Sequence, residues 1–134
     1  MLETAAFTRW SPYMLAILRI ITALLFIEHG TQKFFAFPPS PHPGPALASL
    51  LGVQGLLELV GGFLILIGLF TRPVAFILAG DMAVAYFMVH APRSVFPALN
   101  GGDAAILYCF VFLSLVFAGS GAWSADDALR PEGV

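Results

Sequence analysis

Gly52-Val53-Gln54-Gly55-Leu56-Leu57-Glu58-Leu59-Val60-Gly61-Gly62-Phe63-Leu64-Ile65-Leu66-Ile67-Gly68-Leu69-Phe70 is the stretch whose reading decides the fold. It is apolar and long enough to cross a bilayer. It carries one carboxylate, Glu58, near its middle. A carboxylate inside hydrocarbon is costly, so it must face protein or water and find a partner. At about 100° per residue, Gly55, Glu58, Gly61 and Gly62 share one helical face. A glycine-lined face lets another helix backbone come close. The rest of the chain is read as what surrounds Glu58.

Composition agrees with a membrane setting. Of 134 residues, 59% are hydrophobic and only 10% are charged, against about 25% charged in soluble domains. The sequence therefore reads as one integral membrane domain in contact with the lipid bilayer. The net charge of −2 gives no sign of a nucleic-acid partner. Cys109 is the only cysteine, which excludes an intrachain disulfide, a CxxC redox pair and a zinc–thiolate cluster. Ala46-Leu47-Ala48 mimics a signal-peptide cleavage site, but Arg19 and Glu28 interrupt the run before it and it lies too far in.

Four helices are expected outward from that stretch, at about 12–35, 46–70, 73–91 and 101–118. Residues 1–11 read as an interfacial tail, with Trp10 and Tyr13 at headgroup level and Ser11-Pro12 opening the first helix. Residues 37–45 hold five prolines and form a stiff loop in which His42 has no assigned role. Thr71-Arg72-Pro73 is a tight turn. Asn100-Gly101-Gly102-Asp103 resembles a capping box with Asp in place of Glu. Ser124 caps a short interfacial helix at about 124–130. Four spans of this size fit an all-α, up-down-up-down transmembrane bundle. Arg9, Arg72 and Arg130 against Lys33 and Arg93 put both termini on the cytoplasmic side by the positive-inside rule.

Rise per residue then ranks the polar side chains by depth. Glu58 and Asp81 fall within about 2 Å of the midplane, Arg19 roughly 7 Å toward the cytoplasm, and Glu28, His29 and Gln54 roughly 6–8 Å the other way. Lys33, His90 and Asp103 fall together roughly 12–14 Å out. Each has a plain reading beside the functional one. Arg19 and Lys33 can snorkel to an interface. Asp103 can be only a cap, and His29 and His90 only hydrogen-bonded interfacial residues. Asp81 can share a proton with Glu58, face another subunit, or sit neutral in lipid. Glu58 is too deep and too short to snorkel, and its expected partner is Arg19. No HxxxH or ExxH spacing is present, so no metal site is expected.

Together these motifs resemble the DoxX family of small four-helix membrane proteins. The resemblance rests on Arg19 and His29-Gly30-x-x-Lys33, on Glu58-x-x-Gly61-Gly62 and Gly68-x-x-Thr71-Arg72, and on Met82 and His90-Ala91-Pro92. It continues through Asn100-Gly-Gly-Asp103, Leu107-Tyr108 and Gly121-x-Trp123-Ser124. Asp103 stands where the family commonly has Glu, which keeps the charge and shortens its reach. The resemblance implies a membrane component of an oxidoreductase system, with a quinone as the expected ligand and a bacterial inner-membrane location. The chain has no dithiol, haem-ligand pair or flavin motif to carry electrons, so in this reading it needs a redox partner subunit or serves only as the quinone or substrate site. Two further readings stay open: a non-catalytic scaffold for a redox partner, and a small-anion or proton pathway that would need a homo-oligomer.

Overall fold

The computed structural model describes residues 2–41, 44 and 47–131. His42 and Ala46 lie outside them. The described residues are helical, with no strand among them. Helix α1 is Leu2–Phe35, α2 is Leu50–Ile67 and α3 is Thr71–His90. The short α4 is Pro97–Asn100, α5 is Asp103–Ala118 and α6 is Ala125–Ala128. Helices α1, α2 and α3 are each long and apolar enough to cross a membrane. Helix α5 is apolar but has 16 residues, or roughly 24 Å, somewhat less than the ~30 Å of a hydrocarbon core.

The outer faces carry Phe63, Phe76, Phe87, Phe110 and Phe117, all exposed. Apolar surface on this scale is covered by lipid in an integral membrane protein. The core is small by comparison. Phe26 packs edge-on against Phe112 at 4.9 Å, with Ile65, Leu78 and Leu115 fully buried around them.

Several boundaries differ from the sequence expectation. Helix α1 does not begin at Pro12 but runs through it. An internal proline removes one N–H and its bond to the carbonyl four residues back. That carbonyl belongs to Thr8, which is exposed, so water or headgroups can satisfy it. Helix α2 begins at Leu50, where Ser49 Oγ accepts the Gly52 N–H at 3.1 Å. It stops at Ile67, because Gly68 turns left-handed at φ +68°. A Cβ at Gly68 would also sit 2.5 Å from Ser124 Cβ. Asn100 is not the cap of α5. It closes α4, and its Oδ1 accepts the Gly102 N–H at 2.7 Å. Gly101 at φ +72° resets the chain, so Gly102 precedes α5. Asp103 then falls at the first helical position, one residue beyond Gly102, too early for a capping box, which needs the acid three residues beyond the cap. The tail helix is also shorter, confined to Ala125–Ala128 and capped by Ser124.

Two segments leave α geometry altogether. Leu57–Gly61 in α2 and Tyr86–His90 in α3 are π-helical. The extra residue per turn rotates the next part of the helix relative to a regular α-helix. The glycines of α2 therefore do not share one face. Gly55 and Gly62 seat Phe34 and Ile27 of α1, with an added Cβ 2.7 Å from each, whereas Gly61 seats Leu78 of α3.

The helix ends gather in two places. At the tail end, the Ala122 N–H donates to the Pro12 carbonyl (3.0 Å) and the Asp126 N–H to the Gly68 carbonyl (2.8 Å). At the loop end, the last turn of α1 meets the start of α2, and the end of α3 meets Asn100. The polar side chains divide between these two ends.

Candidate functional site

Every α-helical Cα–Cβ bond tilts toward its helix N-terminus. Arg19 in α1 therefore leans toward the tail end. Glu58 in α2 leans toward the loop end. Lys33, in the last turn of α1, leans back toward the bundle centre. This geometry overturns the expected Arg19–Glu58 pair: the two side chains lean apart, and Glu58 pairs with Lys33.

Lys33 Nζ lies 2.7 Å from Glu58 Oε1, 2.8 Å from Oε2 and 3.1 Å from Gln54 Oε1. An ammonium has three donors, and these acceptors match them in number. Glu58 is 3% exposed, while the Lys33 side chain keeps 24%. Lys33 thus reaches inward along its apolar stem rather than outward to the interface.

The pair forms one wall of a cavity of about 340 Å³ between α1, α2, α3 and α5. His29, His90 and Tyr108 supply the other polar groups, and Phe26, Met82 and Ala105 the apolar floor. The His29 ring meets Tyr108 edge-on at 6.0 Å, and Tyr108 stacks on Phe112 at 6.1 Å. His90 Nδ1 lies 3.0 Å from the Asn100 carbonyl. A carbonyl only accepts, so this bond places the proton on Nδ1 and leaves Nε2 as an acceptor in the neutral ring. Tyr86 stacks on the other side of His90 at 6.4 Å.

Asn100 closes this end of the molecule. It is 1% exposed, and its Nδ2 donates to the Ser94 carbonyl at 3.0 Å and to Tyr86 Oη at 3.3 Å. Both π segments border the cavity, one carrying Glu58 and the other Tyr86 and His90. π-Helical turns occur frequently at functional sites.

Of the seven candidates, the structure brings Lys33, Glu58, His29 and His90 to this cavity. Asp103 stays exposed and does not line it. The expected Lys33–His90–Asp103 cluster therefore loses its acid, because α5 starts at Asp103 instead of earlier. Asp81 is partly buried, and its Oδ2 has no hydrogen-bond partner among the described residues. Sequence reasoning passed over Gln54 as a site residue, although it lies one turn before Glu58 on the same face. It named Tyr108 only within the resemblance. It left out Tyr86, which has no polar neighbour in sequence to mark it.

Arg19 belongs to a separate structure at the tail end. It is fully buried. Its Nε donates to the Ser120 carbonyl at 2.8 Å, Nη1 to Ile65 and Leu66, and Nη2 to Ala122 and Trp123. A guanidinium has five donors, and five carbonyls receive them. Two lie at the C-terminus of α2, where the helix dipole favours a cation. Asp126 completes the clamp by accepting the Phe70 N–H at 2.7 Å and the Thr71 N–H at 2.9 Å. Burial alone would raise its pKa, but those donors and the nearby Arg19 outweigh burial and hold the carboxyl below its ordinary value. Arg72 similarly caps α5 through the Val116 and Phe117 carbonyls.

The chain matches the DoxX family over residues 14–91, more than half its length. It is 46% identical over 124 residues to an uncharacterized protein of Haemophilus influenzae, covering 89% of this chain and 92% of that protein. It is 29% identical over 145 residues to the uncharacterized membrane protein Rv3486 of Mycobacterium tuberculosis (88% and 82% covered). It is also 29% identical over 127 residues to the inner membrane protein YphA of Escherichia coli (86% and 89% covered). No solved structure matches the chain. With its apolar helices and this family match over Arg19, Lys33, Glu58 and His90, the chain is an integral membrane protein and belongs to the DoxX family.

Proposed function

We propose that this protein is the membrane subunit of an oxidoreductase system and that it holds a quinone headgroup beside the Lys33–Glu58 pair. In this reading α1, α2, α3 and α5 cross the inner membrane as a single up-down-up-down domain with both termini cytoplasmic. The observation that carries it is the cavity itself. Its volume of about 340 Å³ lies at the lower end of the ~300–1,000 Å³ of small-molecule sites. It combines an ion pair, two imidazoles and a phenol with an apolar floor, a donor set that suits a flat ring bearing two carbonyl oxygens.

A quinone supplies a carrier of two electrons and two protons in the plane of the lipid. The chain's own residues hold and orient it. Tyr108 and His29 offer hydrogen bonds at one side. Lys33 would place its positive charge beside a ring oxygen. His90 takes or gives a proton at Nε2 while Asn100 fixes its other nitrogen. Glu58 keeps Lys33 in place. The electrons come from a partner subunit.

The scaffold reading has one specific support, the Arg19 clamp, whose three bonds to the tail and two to the end of α2 tie the tail to the bundle for a partner. The conduit reading has less. Past Glu58, the packed Phe26, Ile65 and Phe112 stand between the cavity and Arg19.

The test uses purified protein in detergent. A short-chain quinone is titrated and binding followed by quenching of intrinsic fluorescence. Saturable quenching, weakened at least tenfold in Lys33→Met and in His90→Ala, is expected. Quenching that is unsaturable, or unchanged in both variants while they remain folded, refutes the quinone site.

A further inference from the structure

We propose that a second cleft, at the tail end, binds a phosphate group through Arg9, Arg72 and Arg130. The cleft has a volume of about 790 Å³ and lies between α1, the α2–α3 turn and the chain after α5. The charged side chains facing it are these three arginines with Asp126 and Asp127. The two acids are already engaged. Asp126 accepts the Phe70 and Thr71 N–H groups. Asp127 sits 3.6 Å from Arg130, with both side chains more than half exposed, a loose pair that a better anion can displace.

The arginines retain binding capacity. Arg9 makes no ion pair among the described residues. Arg72 uses Nη1 for the carbonyls at the end of α5, which leaves Nε and Nη2 for the cleft, the latter beside Gly119. Guanidinium groups lining one cleft from three segments suit a phosphate, which accepts paired N–H bonds. Arg9 and Arg130 cap no helix end, so binding does not compete with holding the fold.

Depth indicates what reaches the cleft. Trp10, Tyr13 and Trp123 form a row of rings, 5.5 and 5.3 Å apart, beside it. Such aromatics lie at headgroup level. The cleft therefore opens where phospholipid phosphates lie and where a soluble phosphate ester can enter from water. Both present the same oxygens, and the experiment separates them.

The full chain in zwitterionic detergent is titrated at constant ionic strength with dihexanoyl phosphatidylglycerol, dihexanoyl phosphatidylcholine or inorganic phosphate. Fluorescence of Trp10 and Trp123 and the unfolding temperature are read together. The variants are Arg9→Ala/Arg130→Ala, whose side chains hold no helix end, and Arg9→Lys/Arg130→Lys. Saturable binding of phosphatidylglycerol is expected, roughly tenfold weaker in the alanine variant, the size of one charge-assisted hydrogen bond. The lysine variant should fall between. A response to phosphatidylglycerol without one to inorganic phosphate assigns the site to an anionic lipid. A response to inorganic phosphate with the same variant dependence assigns it to a soluble phosphate ester. Equal responses to phosphatidylcholine and phosphatidylglycerol, or an alanine variant that binds like the parent, overturn the proposal. None of these outcomes bears on the quinone cavity, which shares no residue with this cleft.

Discussion

Replacing Lys33 by methionine keeps the apolar stem and removes the charge that neutralises Glu58. Both carboxylate oxygens lose their ammonium partner, and Gln54 loses a donor. Glu58 is then left 3% exposed with no cation within reach, since Arg19 is committed to five carbonyls at the other end. Stranding one member of a buried pair costs about 3–5 kcal/mol. The Lys33 side chain keeps 24% of its surface, so the loss falls at the lower end, about 3 kcal/mol. For a chain of this length that corresponds to roughly 10 °C in unfolding temperature. Glu58→Gln should cost less, about 1–2 kcal/mol, because the lysine left behind can reach water and still has Gln54. A Lys33→Met/Glu58→Gln double variant should recover most of the loss. All four forms are compared by thermal unfolding in detergent, followed by tryptophan fluorescence. Additive losses in the double variant, or a Lys33→Met cost within the noise of an exposed substitution, would refute the pairing.

Three other outcomes are expected from the geometry. Arg19→Lys should destabilise strongly despite keeping the charge, because an ammonium offers three donors to five carbonyls. Combined with Glu58→Gln its loss should be additive, as measured in the same unfolding assay. Asp126 has a folded pKa below its unfolded value, so its carboxylate adds stability above the ordinary value of about 3.9. That stability is lost as pH falls through the ordinary value and on through the folded one. An acid titration of tail fluorescence should show this step, and Asp126→Ala should flatten it. Reporter fusions after Pro39 and after Ala98 should report one compartment, and fusions after Arg72 and at Val134 the other. Opposite compartments for the Arg72 and Val134 fusions would remove the four-span topology.

The helical, membrane-embedded class was legible because it depends on composition and run length, which sequence carries directly. The polar residues of the cavity were also visible as types. Lys33, Glu58, His29 and His90 stand out against apolar neighbours. Their pairing was not legible. Counting depth along an axis places Arg19 within arginine's reach of Glu58, but it ignores the tilt of each side chain toward its own helix start. That tilt carries Arg19 away from Glu58 and brings Lys33 to it. The π segments were invisible for a related reason. A fixed 100° step assigns Gly55, Glu58, Gly61 and Gly62 to one face, whereas the extra residue in Leu57–Gly61 turns Gly61 toward α3. Asn100 misled because its capping signature is genuine in type. Its side chain bonds the N–H two residues on, making a turn where a helix start was expected.

The Arg19 clamp also has an order in time. Arg19 lies in α1 and is synthesised before all five of its acceptors. Only two of its acceptors, on Ile65 and Leu66, belong to the hairpin that comes next. The other three, on Ser120, Ala122 and Trp123, are synthesised only after α5. During biogenesis the guanidinium lacks these three acceptors until the tail is made. A chain truncated before Ser120 would keep those donors unsatisfied inside the membrane. The clamp thereby makes synthesis through Trp123 a condition for satisfying Arg19.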